Sequence, residues 1–418
     1  MVFSRLAAFF TCAMMVASCS YTPNSPAPTA QQESWQHRQQ GAMSGAAPYS
    51  YGQAGAYAND EPMTSGPVEV VKVALLLPLT GRDAKVGKAL QDAAVLALFD
   101  KYAAMPPESI RVRVELIPKD TKADPARAAL ATQEAIKEGA KLIIGPLFSQ
   151  SVSAAAPIAR AANVNMVSFS NNRAVAGDNV FLLGFQPDEQ VGRVTRYMAA
   201  TGIETVAVLS PSTPYGQTIT ESLKSYAREL NIKLEPIVYY NGMAGPTPEE
   251  VATIANSTAN GRFAFDALFA PEGSDLLKTM LPLLEARGIN RATTQLVGTG
   301  LWDEPAVRRS NDLTGAWYAS APNAGYKSFV DRFISTYDYD PPRIASLGYD
   351  AVALATTLAS MPNGFDKRTI ADPSGYAGPA NGVFRFHRDG TAERGLAVLE
   401  VVGPDVKEID AAPRSFLE

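Results

Sequence analysis

From Val68 onward the chain alternates apolar, strand-like runs with helical ones, and this alternation restricts the fold more than any other feature. "VEVVKVALLLPL" is almost continuously apolar, as a parallel strand covered on both faces would be. "DAKVGKALQDAAVLALFDKYAA" follows with helical spacing, then "IRVRVELIP" (strand), "DPARAALATQEAIKEG" (helix, with Pro125 in its first turn), "AKLIIGP" (strand), "SQSVSAAAPIARAAN" (helix) and "VNMVSF" (strand). Strands alternating with helices of this length predict βαβ units and a parallel sheet.

A second series of similar size begins after "FLLGFQPDEQVGRVTRYMAATG". Its strands read as "ETVAVLS", "IKLEPIVYY", "FDALFA" and "TTQLVGTG", separated by "YGQTITESLKSYAREL" and "EGSDLLKTMLPLLEARG". Two more helical runs, "AGYKSFVDRFISTY" and "RIASLGYDAVALATTLAS", precede two late strands, "NGVFRFHRDG" and "RGLAVLEVVG". The expected fold class is therefore α/β, with two doubly wound, Rossmann-like lobes. About 350 residues from Val68, in a chain 46% hydrophobic and 19% charged, can bury two such cores.

The first 67 residues belong to neither series. Arg5, the apolar run "LAAFFTCAMMVA", and small Ala17 and Ser18 before Cys19 form the tripartite layout of a bacterial export signal. The run is too short for a comfortable bilayer span. "VASC" resembles the lipobox of bacterial lipoproteins, with Val16 where leucine is usual. That resemblance implies a signal peptide over residues 1–18, and Cys19 as the lipidated first residue of the mature chain. Cys12 would leave with the signal, so no disulfide framework is expected. Residues 20–67 are rich in Ser, Pro, Gln, Gly and Ala and hold no lysine. They read as a disordered tether, giving a lipid-anchored segment over 19–67.

Further along, "VALLLPLTGRDAKVGKALQDAAVLAL", "KLIIGPLFSQSVSAAAPIARAANVNMVSFS", "PSTPYGQ", "SLGYDAVALATTL" and "NGVFRFHRDGT" resemble, in order and spacing, the leucine/isoleucine/valine-binding family of type 1 periplasmic binding proteins. With its lipobox and long tether, the chain is most similar within that family to the penicillin-binding protein activators. The resemblance implies three crossovers, placed near residues 187, 321 and 362. The first lobe would then be 68–187 plus 322–362, and the second 188–321 plus 363–418.

Ligands of open α/β sheets collect beyond the carboxyl ends of strands, where helix N-termini present unpaired N–H groups. "GPLFSQS" is such a junction, and Ser149 there either meets a carboxylate or caps the helix. The family match adds Ser170 and Asn172 of "SFSNN" as ligand contacts, with Asn172 replacing the usual threonine. It also places Thr80 and Arg82 after the first strand and projects Tyr215 from the second lobe. Amino-acid-binding members carry an acid just beyond the strand matching "QLVGTG", as partner to the ligand's ammonium. Thr299 and Gly300 stand there instead, and the nearest acids are Asp303 and Glu304. Trp302 either stacks on an apolar or ring-bearing ligand or packs the lobe.

No catalytic constellation is expected. The only histidines are His37 and His387, no Cys/His cluster suits a transition metal, and no phosphate loop ends in Gly-Lys-Ser/Thr. No cofactor is called for, and a net charge of -5 argues against nucleic acid. Two functions follow from the resemblance: an amino-acid-binding component serving an ABC permease, or a lipoprotein that regulates a peptidoglycan synthase, a penicillin-binding protein.

Overall fold

The computed structural model describes residues 67–273, 275–310 and 312–417. The expected signal peptide, Cys19 and all but Pro67 of the expected tether lie outside the described residues.

The first sheet is built from β1 (Glu69–Leu77), β2 (Val112–Asp120), β3 (Leu142–Ile144), β4 (Asn165–Ser168) and β5 (Val180–Leu182), all parallel, in the order β2-β1-β3-β4-β5. Helices α1 (Ala84–Ala103), α2 (Pro125–Lys137) and α3 (Ser149–Ala161) make the connections. The residues explain these elements locally. Asp124 caps α2, its Oδ1 accepting from Arg127 N at 2.7 Å, and Pro125 supplies the preset φ of a first helical position. Ala128, Ala131 and Ala135 form its buried stripe, and Ala131 and Ala135 share a core with Ala74, Leu76 and Ile143 of the sheet.

The chain leaves this lobe after Leu183 through α4 (Pro187–Ala200). It then builds β6 (Thr205–Pro211), α5 (Pro214–Glu229), β7 (Lys233–Tyr240), α6 (Pro248–Ala255), the small pair β8 (Thr258–Ala259) and β9 (Arg262–Phe263), and β10 (Ala267–Phe269). The helix α7 (Leu277–Glu285), β11 (Gln295–Val297), α8 (Pro305–Ser310) and β12 (Trp317–Ser320) follow. The parallel part of this second sheet runs β7-β6-β10-β11-β12, the same winding as the first.

Two helices then return to the first lobe: α9 (Asn323–Tyr337) and α10 (Ala345–Ala359). Gly348 lets α10 lie directly on α1, since a Cβ there would sit 2.4 Å from Leu90 O. The chain stays in this lobe longer than expected. Short helix α11 (Lys367–Ile370) and the antiparallel trio β13 (Tyr376–Gly378), β14 (Gly382–Phe386) and β15 (Ala392–Arg394) come next, and Ile370, Phe384, Phe386 and Ala392 share a core with Val73, Leu75 and Leu90. Only with β16 (Ala397–Val402) and β17 (Asp405–Asp410) does the chain rejoin the second sheet, antiparallel to β12. The third crossing therefore falls between Arg394 and Ala397, not near 362, because the Phe384 and Phe386 rings bury against the first lobe.

Candidate functional site

The strand orders decide where a ligand would be held. A doubly wound sheet opens a crevice at the carboxyl ends where its winding reverses, which in the 2-1-3-4-5 order lies between the first and third strands. In the first lobe these are the exits of β1 and β3, and in the second the exits of β6 and β10.

At the β1 exit, Thr80 Oγ1 donates to Asp120 Oδ2 at 2.5 Å, and Leu79 N donates to Oδ1 at 2.9 Å. Burial raises the Asp120 carboxyl, yet the bonds from Thr80, Lys122 and Leu79 outweigh it and hold its pKa below the ordinary value. Thr80 thus fixes the loop. Arg82 stands clear of the protein, its side chain 93% exposed and 3.7 Å from Asp83. At the β3 exit, Phe148 occupies the N-cap of α3 without a side-chain cap, so Ser149 does not cap the helix; it is the half-buried first residue. Beyond β4, Ser170 is buried, and its Oγ accepts from Asn172 N at 3.2 Å. Asn172 is exposed and uses Oδ1 to cap the next turn at Ala174 N.

The second lobe presents a denser set. Tyr215 follows the β6 exit, and its hydroxyl meets Thr299 Oγ1 at 2.9 Å. Burial pushes the Tyr215 phenol up to about 12, the Thr299 bond opposes this, and the Glu272 charge adds to it. Glu272 stands three residues past β10. It is buried, and its carboxylate accepts from Tyr240 Oη at 2.8 Å and from Gly273 N at 2.9 Å. Sequence reasoning looked for an acid beyond β11 and did not single out Glu272. That place is filled: a Cβ on Gly300 would lie 2.2 Å from Gln190 Nε2, and Gly300 N donates to Gln190 Oε1 at 3.3 Å. Strand order was the signal that could have found Glu272, because it stands at the reversal with Tyr215.

Trp302 is not a cleft residue. It is fully buried in the second core, and its Nε1 donates to Glu272 O at 2.6 Å. Asp303 and Glu304 are likewise engaged by groups of the protein itself. Asp303 accepts from Arg343 Nε at 2.5 Å, Ser320 Oγ at 2.6 Å, Tyr318 Oη at 3.0 Å and Arg308 Nη1 at 3.3 Å, while Glu304 accepts from Arg343 N at 3.0 Å.

These bonds open a buried network that touches all three crossings. Arg343, whose guanidinium lies 3.9 Å from the Tyr326 ring centroid, continues from Asp303 to Ser346 and Asn381. Asn381 donates to Asp350 at 2.7 Å. The Asp350 charge partly offsets the burial that lowers Arg394 to about 10, and Arg394 Nη2 donates to Leu183 O at 2.7 Å. Ser320, Leu183 and Arg394 each lie at the end of a segment that crosses between lobes. Beside them Glu189 is raised to about 8, by burial first and by Asp188 second. Among the described residues no His, Cys, Asp and Glu group is placed to hold a metal ion, and no helix is long and apolar enough to cross a membrane.

The family model described as periplasmic binding protein matches residues 70–405. The chain belongs to the periplasmic binding protein family. A leucine-, isoleucine-, valine-, threonine- and alanine-binding protein of Pseudomonas aeruginosa is 24% identical over 321 residues, covering 74% of this chain and 81% of that protein. The penicillin-binding protein activator LpoA of Photobacterium profundum is 28% identical over 160 residues, 38% of this chain and 25% of LpoA. An uncharacterised protein of Rickettsia prowazekii is 26% identical over 187 residues, 45% of this chain. The chain spans about half the length of that relative, 48%, and a quarter of LpoA. Among solved structures, one of a branched-chain amino acid ABC transporter protein from Rhodospirillum rubrum superposes with a TM-score of 0.71 at 19% identity, covering 81% of this chain and all of the other. This periplasmic binding protein thus has the two-lobed fold of its family.

Proposed function

We propose that this periplasmic binding protein captures a small amino-acid-like molecule between its lobes and delivers it to an ABC permease. The observation that carries the reading is the convergence of Tyr215, Thr299 and the buried Glu272 at the switch point of the second sheet. Glu272 supplies the negative charge that an ammonium group needs once it leaves water. Ser149 and Ser170, with Asn172, supply hydroxyl and amide groups for a carboxylate at the first sheet's exits. Phe148, next to Ser149 in the first lobe, and Leu301, against Gly273 in the second, are 37% and 40% exposed and offer apolar surface to a side chain. The Pseudomonas relative, named for binding five amino acids and aligned over most of this chain, supports this reading.

L-Leucine, L-alanine and L-phenylalanine are expected to include at least one ligand that raises the melting temperature. At a hundredfold excess over the dissociation constant the gain corresponds to about 2.7 kcal/mol. Tyr215→Phe combined with Glu272→Gln should remove it. A gain that survives both substitutions would place the ligand elsewhere.

The alignment with LpoA supports a second reading, a regulator of a penicillin-binding protein. It gains ground if no amino acid shifts the melting curve while a penicillin-binding protein is retained by the purified chain. Both readings place the protein at the cell envelope, held by a lipid on Cys19, as "VASC" motivates. Fatty-acid labelling should vanish in Cys19→Ser; unchanged labelling would rule that anchor out.

A further inference from the structure

The second lobe holds a cavity of about 690 Å3 at the amino ends of β10, β11 and β12, the pole opposite the strand exits. Its size is in the range of small-molecule pockets, roughly 300 to 1,000 Å3. The floor is core: Leu268, Leu284, Ile289 and Leu313 line it and are buried. The wall also carries Thr294, 5% exposed, whose hydroxyl is buried without a hydrogen-bond partner among the described residues. That hydroxyl is shut off from the cavity as well as from bulk water, so a ligand would be held by the apolar floor and by charge.

The charges on the lining choose the ligand's sign. Lys278 is already neutralised by Asp275, its Nζ 2.6 Å from the carboxylate. Among the described residues Glu285, Asp312, Glu400 and Arg291, all on the lining, enter no ion pair. Three carboxylates against one guanidinium leave the lining negative.

We propose that this cavity is a second binding site, for an apolar molecule bearing an ammonium head: the body fills the Leu268 to Leu313 floor, and the Glu285, Asp312 and Glu400 carboxylates on the lining balance the charge. A ligand here lies against α7 and the β10 to β12 edge, away from Tyr215 and Glu272, so the site is independent of the cleft reading.

Two probes with the same body and opposite heads test it: 4-phenylbutylamine and 4-phenylbutyrate. The amine is expected to raise the melting temperature of the full chain, and the carboxylate to bind severalfold more weakly. The gain should persist in Tyr215→Phe, Glu272→Gln, which disables the cleft. It should be lost in Leu281→Trp, which fills the mouth from a half-buried position, and be weakened in Glu285→Gln, Glu400→Gln, which alters charge without altering packing. Equal response to both probes, no response to the amine, or a gain that survives Leu281→Trp and the paired Gln variant would overturn the proposal.

Discussion

Asp303→Ala is expected to destabilise the protein by about 3–5 kcal/mol, the cost of removing one partner from a buried ion cluster. The substitution strands the buried Arg343 and Arg308 without their counter-charge and removes the acceptor of Ser320 and Tyr318. Burial alone would raise the Asp303 carboxyl, but Arg343, Ser320 and Arg308 outweigh it, and its pKa in the folded protein lies below the ordinary 3.8. A depressed carboxylate stabilises the fold above its unfolded pKa, and that contribution is lost as pH falls through the folded value. Wild-type stability should therefore drop on acidification more steeply than that of Asp303→Ala. Urea unfolding at neutral and acid pH measures both effects. A loss under about 1 kcal/mol, the size of an exposed pair, would mean that the cluster does not hold the crossings together.

Trp302→Ala should cost a comparable amount, about 3–5 kcal/mol, as truncations of fully buried aromatic residues do. Trp302→Phe should cost less, because it keeps most of the volume and forfeits the bond from Nε1 to Glu272 O. Since that bond fixes the backbone that carries Glu272, Trp302→Phe is also expected to weaken ligand binding indirectly. Denaturation curves and ligand titrations on the same variants separate the roles. A residue stacking on ligand would lose affinity with stability unchanged, the opposite of the expected pattern.

The doubly wound lobes were legible because burial on both faces writes itself into the chain. β1 is an unbroken apolar run, and the α2 stripe of alanines repeats at helical spacing after a capping aspartate and a proline. Short elements left less trace: β5 and β12 have 3 and 4 residues, too few to set a period. Phe384 and Phe386 announce a buried strand face, but alternation says nothing of which core receives it, and so the third crossing was misplaced. The proposed cleft residues differ in how far the sequence discloses them. Tyr215 stands in a quotable motif, whereas Glu272 gains its position from the adjacency of β6 and β10, strands separated by more than 50 residues. Asp303 was visible as an acid near the wrong strand, and nothing local discloses that Arg343, 40 residues later, buries it.

Closure of the lobes on a ligand is the central claim, because only a ligand that contacts both lobes favours the closed state. Spin labels at Lys85→Cys in the first lobe and Met243→Cys in the second, both exposed, report the interlobe distance once Cys12 and Cys19 are replaced by serine. Addition of the amino acid that raises the melting temperature should convert the distance distribution to a shorter, narrower one, and Tyr215→Phe with Glu272→Gln should keep it at the unliganded value. A distribution unchanged at saturating L-leucine, L-alanine and L-phenylalanine alike would contradict the account.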